Sequence, residues 1–308
     1  MAIKTILVHA DASRHAPARY AMAAALALAH GAHLTGAAAT GVSALVYPAA
    51  QGGLPGGLLD SYFGALREQL DAVLDHFART VDPLGVEYDK RLLIDAAGDG
   101  LVALSAHADL LVLSQDDPAE SLAHGDQRLP DYVIVNAPRP VLLVPDAYAP
   151  AAATPAQAPQ RILVAWNGSR QAAAAVGHAL PLLRAADSVT VATFGEDPAA
   201  PQRAAGVGAG VVAGTGVDAH TGVGAHTGNA DHADLLIYLR RHGIAAAFDA
   251  RPEPVDMGHA LLALAHQHGC DLIVMGCYGH ARLRELCLGG VSRTLLRSSP
   301  VPLLMAHV

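Results

Sequence analysis

Short apolar runs rich in β-branched residues recur along the chain, separated by longer segments with helical spacing. "IKTILVHAD" (3–11) and "RILVAWNG" (161–168) are nearly continuous in apolar content, the pattern of strands covered on both faces. Each leads into an Ala/Leu-rich helical segment. The first is "PARYAMAAALALAHG", with Pro17 in a first-turn position and Gly31 as terminator; the second is "RQAAAAVGHALPLLRAA". "AHLTGAAAT" and "SVTVATFG" follow as second strands, "LLDSYFGALREQLDAVLDHFART" and "DHADLLIYLRRHG" as second helices, and "VEYDKRLLI" and "AAAFDAR" as third strands. "DGLVALSAHA" and "DMGHALLALAHQHG" are third helices, "DLLVLSQ" and "DLIVMG" fourth strands, and "RPVLLVPDA" and "VPLLMAHV" fifth strands. Alternation of strand and helix throughout predicts an α/β protein with parallel sheets and right-handed crossovers.

The two series can be laid in register. Asp109 and Asp271 each open a fourth strand, Pro140 and Pro302 each precede a fifth, and both pairs stand 162 residues apart; Asp11 and Asn167 close the first strands at a separation of 156. This is an internal duplication. It predicts a first domain over 1–146, an Ala/Pro-rich linker over 147–160 ("AYAPAAATPAQAPQ"), and a second domain over 161–308. A Gly/Ala/His-rich tract at about 204–233, with "GVDAHT" nearly repeated as "GVGAHT", interrupts the second copy. It offers little apolar surface to bury and is expected to form a mobile excursion before the second helix.

Charge is divided unequally. Residues 1–154 carry nine Lys/Arg against seventeen Asp/Glu, and residues 155–308 carry eleven of each. Within the neutral half, "MGCYGHARLRELCLGGVSRTLLR" (275–297) has Arg282, Arg284, Arg293 and Arg297 against Glu285 alone. With no extended basic face or aromatic ladder, this favours a phosphate over a nucleic acid. No apolar run reaches the ~18 residues of a membrane span. The first residues pass directly into a strand, and the three cysteines, Cys270, Cys277 and Cys287, lack zinc-knuckle spacing. These features point to a cytoplasmic protein.

The same stretch holds the candidate chemistry. A strand that ends in glycines and then enters a helix can present bare backbone N–H groups to an anion, with the helix N-terminus adding partial positive charge. In an open parallel sheet the ligand lies beyond the carboxyl ends of strands where the winding reverses, so Asn167 would face Gly276 there. In register, Ser114, Asp117, Gln127 and Pro130 stand in the first half where the second has Gly276, Gly279, Gly289 and Ser292. The first half keeps the frame and lacks the loop.

The spacing Gly276, two residues, Gly279, nine residues, Gly289 resembles the phosphate loop of the universal stress protein family; the duplication, "AWNGS" and the ending "RSSPVPLLMAHV" agree with it. The resemblance covers essentially the whole chain as a tandem protein. It implies five-stranded sheets of order 3-2-1-4-5, packed side by side through their fifth-strand edges as an intramolecular pseudo-dimer, with homodimers of whole chains also admitted. It further implies ATP, with or without Mg²⁺, bound in the second domain by Asn167, Gly276, Gly279, Arg282, Gly289, Gly290 and Ser292. Two positions depart from the family pattern: Gly290 replaces the hydroxyl residue after the third glycine, leaving Ser292, and Asn167 replaces an acidic residue retained in the first half as Asp11. Asn can still pair with an adenine edge, having both donor and acceptor.

Simpler roles compete for several of these residues. Glycines after strands are commonly turn formers, Ser292 can be an N-cap, and Arg282 and Arg284 can be solvated. His220, His226 and His232, six apart in a Gly-rich tract, fix no metal geometry, and no metal site is expected. His259, His266 and His268 read as buried or snorkelling structural histidines, and Cys277 as a packed thiol unless neighbouring arginines activate it. No Walker lysine, nucleophile elbow or Ser-His-Asp order is present. The expectation is a nucleotide-binding regulatory or stress-response protein with at most weak ATP hydrolysis; the alternatives are an interaction module without nucleotide, acting through protein partners, and, less favoured, a weak ATPase.

Overall fold

The computed structural model describes residues 2–42, 56–117, 129–146, 148, 157–195, 228–277 and 290–307. Among these, ten strands and eight α-helices alternate. The first half contains β1 (Thr5–His9), α1 (Ala16–His30), β2 (His33–Ala39), α2 (Gly56–Val81), β3 (Tyr88–Leu93), α3 (Ala97–Ser105), β4 (Leu110–Ser114), α4 (Leu129–Asn136) and β5 (Val141–Val144). The second half repeats the order as β6 (Arg161–Ala165), α5 (Arg170–Ala185), β7 (Ser188–Phe194), α6 (Gly228–Arg241), β8 (Ala246–Arg251), α7 (Met257–Gln267), β9 (Leu272–Gly276), α8 (Gly290–Ser298) and β10 (Leu303–Ala306).

All strands join one sheet in the order β3-β2-β1-β4-β5-β10-β9-β6-β7-β8. Each half is parallel with the expected order 3-2-1-4-5, and the halves meet where β10 runs antiparallel to β5, Leu303 opposite Leu143 and Met305 opposite Val141. The junction is apolar, as its sequence requires: Val141–Val144 and Leu303–Ala306 are buried throughout. It also leaves neither fifth strand with an open edge, which removes a pairing hazard. The outer strands manage theirs with charge instead: β3 carries Asp89, Lys90 and Arg91, with Lys90 paired to Asp75 at 2.9 Å, and β8 carries the Asp249–Arg251 pair at 2.6 Å.

The core lies on both faces of the sheet. On one face Ile6, Val8, Ile162 and Val164 pack with α1, α2, α5 and α6; on the other Leu7, Leu111, Leu163 and Ile273 pack with α3, α4, α7 and α8. Alanines give α1 its close approach, since Ala23, Ala24 and Ala27 are fully covered. α1 ends where expected, at Gly31 in the left-handed conformation (φ 55°).

Two acidic residues singled out by the register have a visible task. Asp109 Oδ2 accepts from the backbone N–H of Lys4 (2.8 Å) and Thr5 (3.1 Å), and Asp271 accepts from those of Gln160 (2.9 Å) and Arg161 (2.8 Å). Each clamps the start of a central strand to the start of its neighbour. Of the linker stretch, Tyr148 and 157–160 are described, and the rest lies outside the described residues. The Gly-rich tract lies outside them up to residue 227; its last residues are helical, because α6 begins at Gly228 rather than after the tract, anchored inward by Leu235 and Leu239.

Asp109→Ala removes two charge-assisted bonds from one strand start. It should lower unfolding free energy by about 1–3 kcal/mol in urea titration; an unchanged midpoint would show that the clamp carries no weight.

Candidate functional site

The carboxyl ends of the central strands form equivalent places in the two halves, and their contents differ. In the first half, α1 sends Arg19 inward until it is 1% exposed. Such a buried guanidinium is tolerable only with acceptors on every side. Its Nε donates to the carbonyl of His9 (2.9 Å), Nη1 to Ser114 Oγ (2.8 Å) and Nη2 to Asp11 Oδ1 (2.7 Å). Asp11 also accepts from the backbone N–H and hydroxyl of Ser13 (3.0 and 2.6 Å). One side chain thus ties the ends of β1 and β4 together.

Protonation follows from this packing. Burial alone would raise the Asp11 carboxyl, but Arg19, His9 and the Ser13 hydroxyl more than offset it and hold it well below the usual carboxylate range. Burial pushes His9 down to about 4, against the pull of Asp11 and helped by Arg19. His9 is therefore neutral in the folded protein over a range in which the unfolded chain binds a proton.

In the second half, positions 156 or 162 residues further on carry Ala165, Asn167, Ala175 and Gly276 in place of His9, Asp11, Arg19 and Ser114. Only the turn is retained: Asn167 Oδ1 accepts from the backbone N–H of Ser169 at 3.1 Å, as Asp11 does from that of Ser13. Gly168 takes φ 68°, and Ser169 caps α5 by accepting from the N–H of Ala172 at 3.1 Å. Asn167 is exposed, and where Arg19 reaches between strand ends, Ala175 contributes a methyl group.

Gly276 closes β9, and the pairing of Ala165 with Met275 brings it beside the end of β6 and its Asn167 turn. The lack of a side chain there has a packing cause as well as the expected ligand one. A Cβ at 276 would lie 2.7 Å from Cβ of Gln171 and closer still to that residue's carbonyl carbon and to the Ala172 nitrogen, so the first turn of α5 already occupies its space. Gly290 is the exposed first residue of α8, and Ser292 is buried at 5% in the first turn. α8 lies close against α7, where Gly258 leaves room for Thr294. Gly279, Arg282 and Gly289 lie outside the described residues, as do Arg284 and Cys287.

Other residues weighed from sequence also find their places. The Cys277 thiol is buried, donates to the Ala306 carbonyl (3.3 Å) and is pushed up by desolvation; burial and then Asp271 push Cys270 up to about 11. Neither is an activated thiol. His259 and His266 share an exposed face of α7, not a buried one; His259 Nδ1 lies 2.9 Å from Asp256 Oδ2, and His268 Nε2 lies 2.8 Å from Asp249 Oδ2. Residues that sequence reasoning missed are in the first half: His15, Asp117 and Asp146 converge there. Their separations of 102 and 29 residues leave no local spacing to notice.

Residues 159–307 match the Universal stress protein family, so the second half is a domain of that family. Among curated protein sequences, none matches the chain. The chain folds like a universal stress protein from Archaeoglobus fulgidus DSM 4304, at 16% identity and TM-score 0.69 over 98% of this chain and 96% of that one. A putative universal stress protein from Pseudomonas aeruginosa UCBPP-PA14 is similar at 14% identity and TM-score 0.58, over 99% and 94%. A functionally unknown protein from Pseudomonas aeruginosa PAO1 is similar at 14% and 0.57, over 99% and 93%. At these identities the likeness is one of fold, and it spans both halves. Among the described residues, no helix is long and apolar enough to cross a membrane.

Two measurements test the geometry. Stability should fall from pH 6.5 towards 4 as the unfolded chain protonates His9 and the folded chain does not, a contribution of about 3 kcal/mol; His9→Gln should flatten that slope, and an unaltered slope would show His9 to be uncoupled. Gly276→Ala should destabilise by about 1–3 kcal/mol or more through overlap with α5, whereas a wild-type melting temperature would mean that helix and strand are not in contact there.

Proposed function

We propose that the chain, whose second half is a universal stress protein domain, is an adenine-nucleotide-binding regulatory protein of the stress-response type, with one ATP site in the second half. The division into domains over 1–146 and 161–308 belongs to the same reading. The observation that carries it is the contrast at the strand ends: Arg19, Asp11 and Ser114 satisfy one another in the first half, and Ala175, Asn167 and Gly276 stand there in the second.

In this reading Asn167, still exposed beyond its turn, meets the adenine edge. The loop carrying Gly276, Gly279 and Gly289 cradles phosphates, Arg282 neutralises their charge, and Gly290 and Ser292 contribute the first turn of α8. Mg²⁺ would accompany the triphosphate rather than occupy a protein cage. The chemistry is binding: occupancy alters the loop and α8, and through them the surface offered to a protein partner. Pairing of whole chains is compatible with this arrangement, because the β5–β10 junction uses up only the inner edges.

Equilibrium dialysis of the full chain with ATP, with and without Mg²⁺, should give one site per chain. Gly289→Asp should weaken it by at least about tenfold, since like-charge juxtaposition costs more than the ~1.4 kcal/mol this factor represents. Asp11→Asn should leave it unchanged. Absence of binding at millimolar ATP, or loss in Asp11→Asn alone, would overturn the assignment.

A further inference from the structure

Three groups of the first half meet at the strand ends that correspond to the phosphate loop of the second. His15 immediately precedes α1, Asp117 follows β4, and Asp146 follows β5; one ligand-type atom from each lies within 4.8 Å of the others. His15 Nε2 is 2.8 Å from Asp117 Oδ2 and 3.7 Å from Asp146 Oδ1. The side chains are 13%, 7% and 32% exposed respectively.

Two carboxylates and an imidazole nitrogen can converge in so little solvent only around positive charge. At present Arg14 supplies it: its Nη2 pairs with Asp117 Oδ2, and its Nε donates to His15 Nε2 at 3.0 Å. His15 Nε2 thus stands between the Arg14 donor and the Asp117 carboxylate, 2.8 Å away, and its tautomer decides which of the two it bonds; with Arg14 displaced, the neutral ring can turn its lone pair to a cation held by the two carboxylates. Arg14 is 63% exposed and can leave without a cavity forming behind it. The backbone around the group is secured independently, for Gln115 Oε1 accepts from the N–H of Asp146 at 3.4 Å, and Gln115 Nε2 reaches the Ser299 carbonyl across the junction at 3.2 Å.

We propose that His15, Asp117 and Asp146 form a site for a divalent transition cation of the Zn²⁺ type, which replaces Arg14 as the counter-charge. One imidazole and two carboxylates match the donor preference and charge of such an ion, and the mouth where Arg14 lies leaves a fourth position for water. Carboxylate-only or carbonyl-rich sets, preferred by Mg²⁺ and Ca²⁺, do not contain the imidazole. The second half has no counterpart: Gln171, Gly279 and Val308 occupy the corresponding positions. The duplicated frame thus holds a cation at one pair of strand ends and, in the reading above, an anion at the other. The cation site stands on its own residues and does not depend on that reading.

The test is titration of the chelator-treated full chain with Zn²⁺ by calorimetry, repeated with Co²⁺ by visible absorption, against variants verified as folded by circular dichroism. The chain has 17 histidines, so the difference between variants is the readout. His15→Gln and Asp146→Asn should each weaken one equivalent of binding by at least about tenfold, a ligand mattering no less than an outer-sphere partner. Arg14→Gln should tighten that same equivalent severalfold, because it removes the competing cation. Isotherms for His15→Gln and Asp146→Asn that superimpose on wild type, or weaker binding in Arg14→Gln, would overturn the proposal; ATP binding serves as a separate control, and its failure would not touch this result.

Discussion

A buried guanidinium must be surrounded by acceptors, and that requirement organises the first half of the molecule. Arg19 reaches the sheet from α1 and takes up the His9 carbonyl, the Ser114 hydroxyl and the Asp11 carboxylate. Removing any acceptor would leave charge stranded in a region with little water, which costs far more than an exposed ion pair contributes. The winding of a parallel sheet reverses between β1 and β4 and opens a crevice there. In this half Arg19, Asp11 and Ser114 bridge the two strand ends there.

The second half is built on the same frame with those side chains deleted. Asp109 and Asp271 clamp the strand starts in the same way, the turns after β1 and β6 use the same Asx bond, and the strand order is repeated. At the carboxyl ends of the central strands the two halves differ, small residues and glycines replacing an ion network. The antiparallel junction of β5 with β10 makes this asymmetry structural, since the two sets of strand ends belong to one continuous sheet. Gln115 marks it in detail: its side chain crosses the junction to the Ser299 carbonyl, whereas the thiol of Cys277, its counterpart, donates to Ala306 within its own half.

Much of the fold was legible because buried parallel strands leave short, near-continuous apolar runs, and the duplication could be read from paired Asp and Pro residues. The site was less so. Arg19 sits in a segment that looks like any Ala-rich amphipathic helix, where a cation is expected to face solvent; nothing local reveals that His9, Asp11 and Ser114 await it. From sequence Gly276 marks a place for a ligand, and its tight packing against Gln171 and Ala172 emerges only when α5 is set on the sheet. His15, Asp117 and Asp146 come from three separate loops, so topology and not spacing assembles them.

In the proposed reading, nucleotide binds at the second-half strand ends, and the Arg19 network keeps it from those of the first half. Hydrogen–deuterium exchange with and without saturating ATP reads both at once. The account predicts slowed exchange in peptides covering 167–172 and 276–292, with peptides covering 9–19 and 114–117 unchanged. Protection in the first-half peptides, with the second half unaffected, would contradict it.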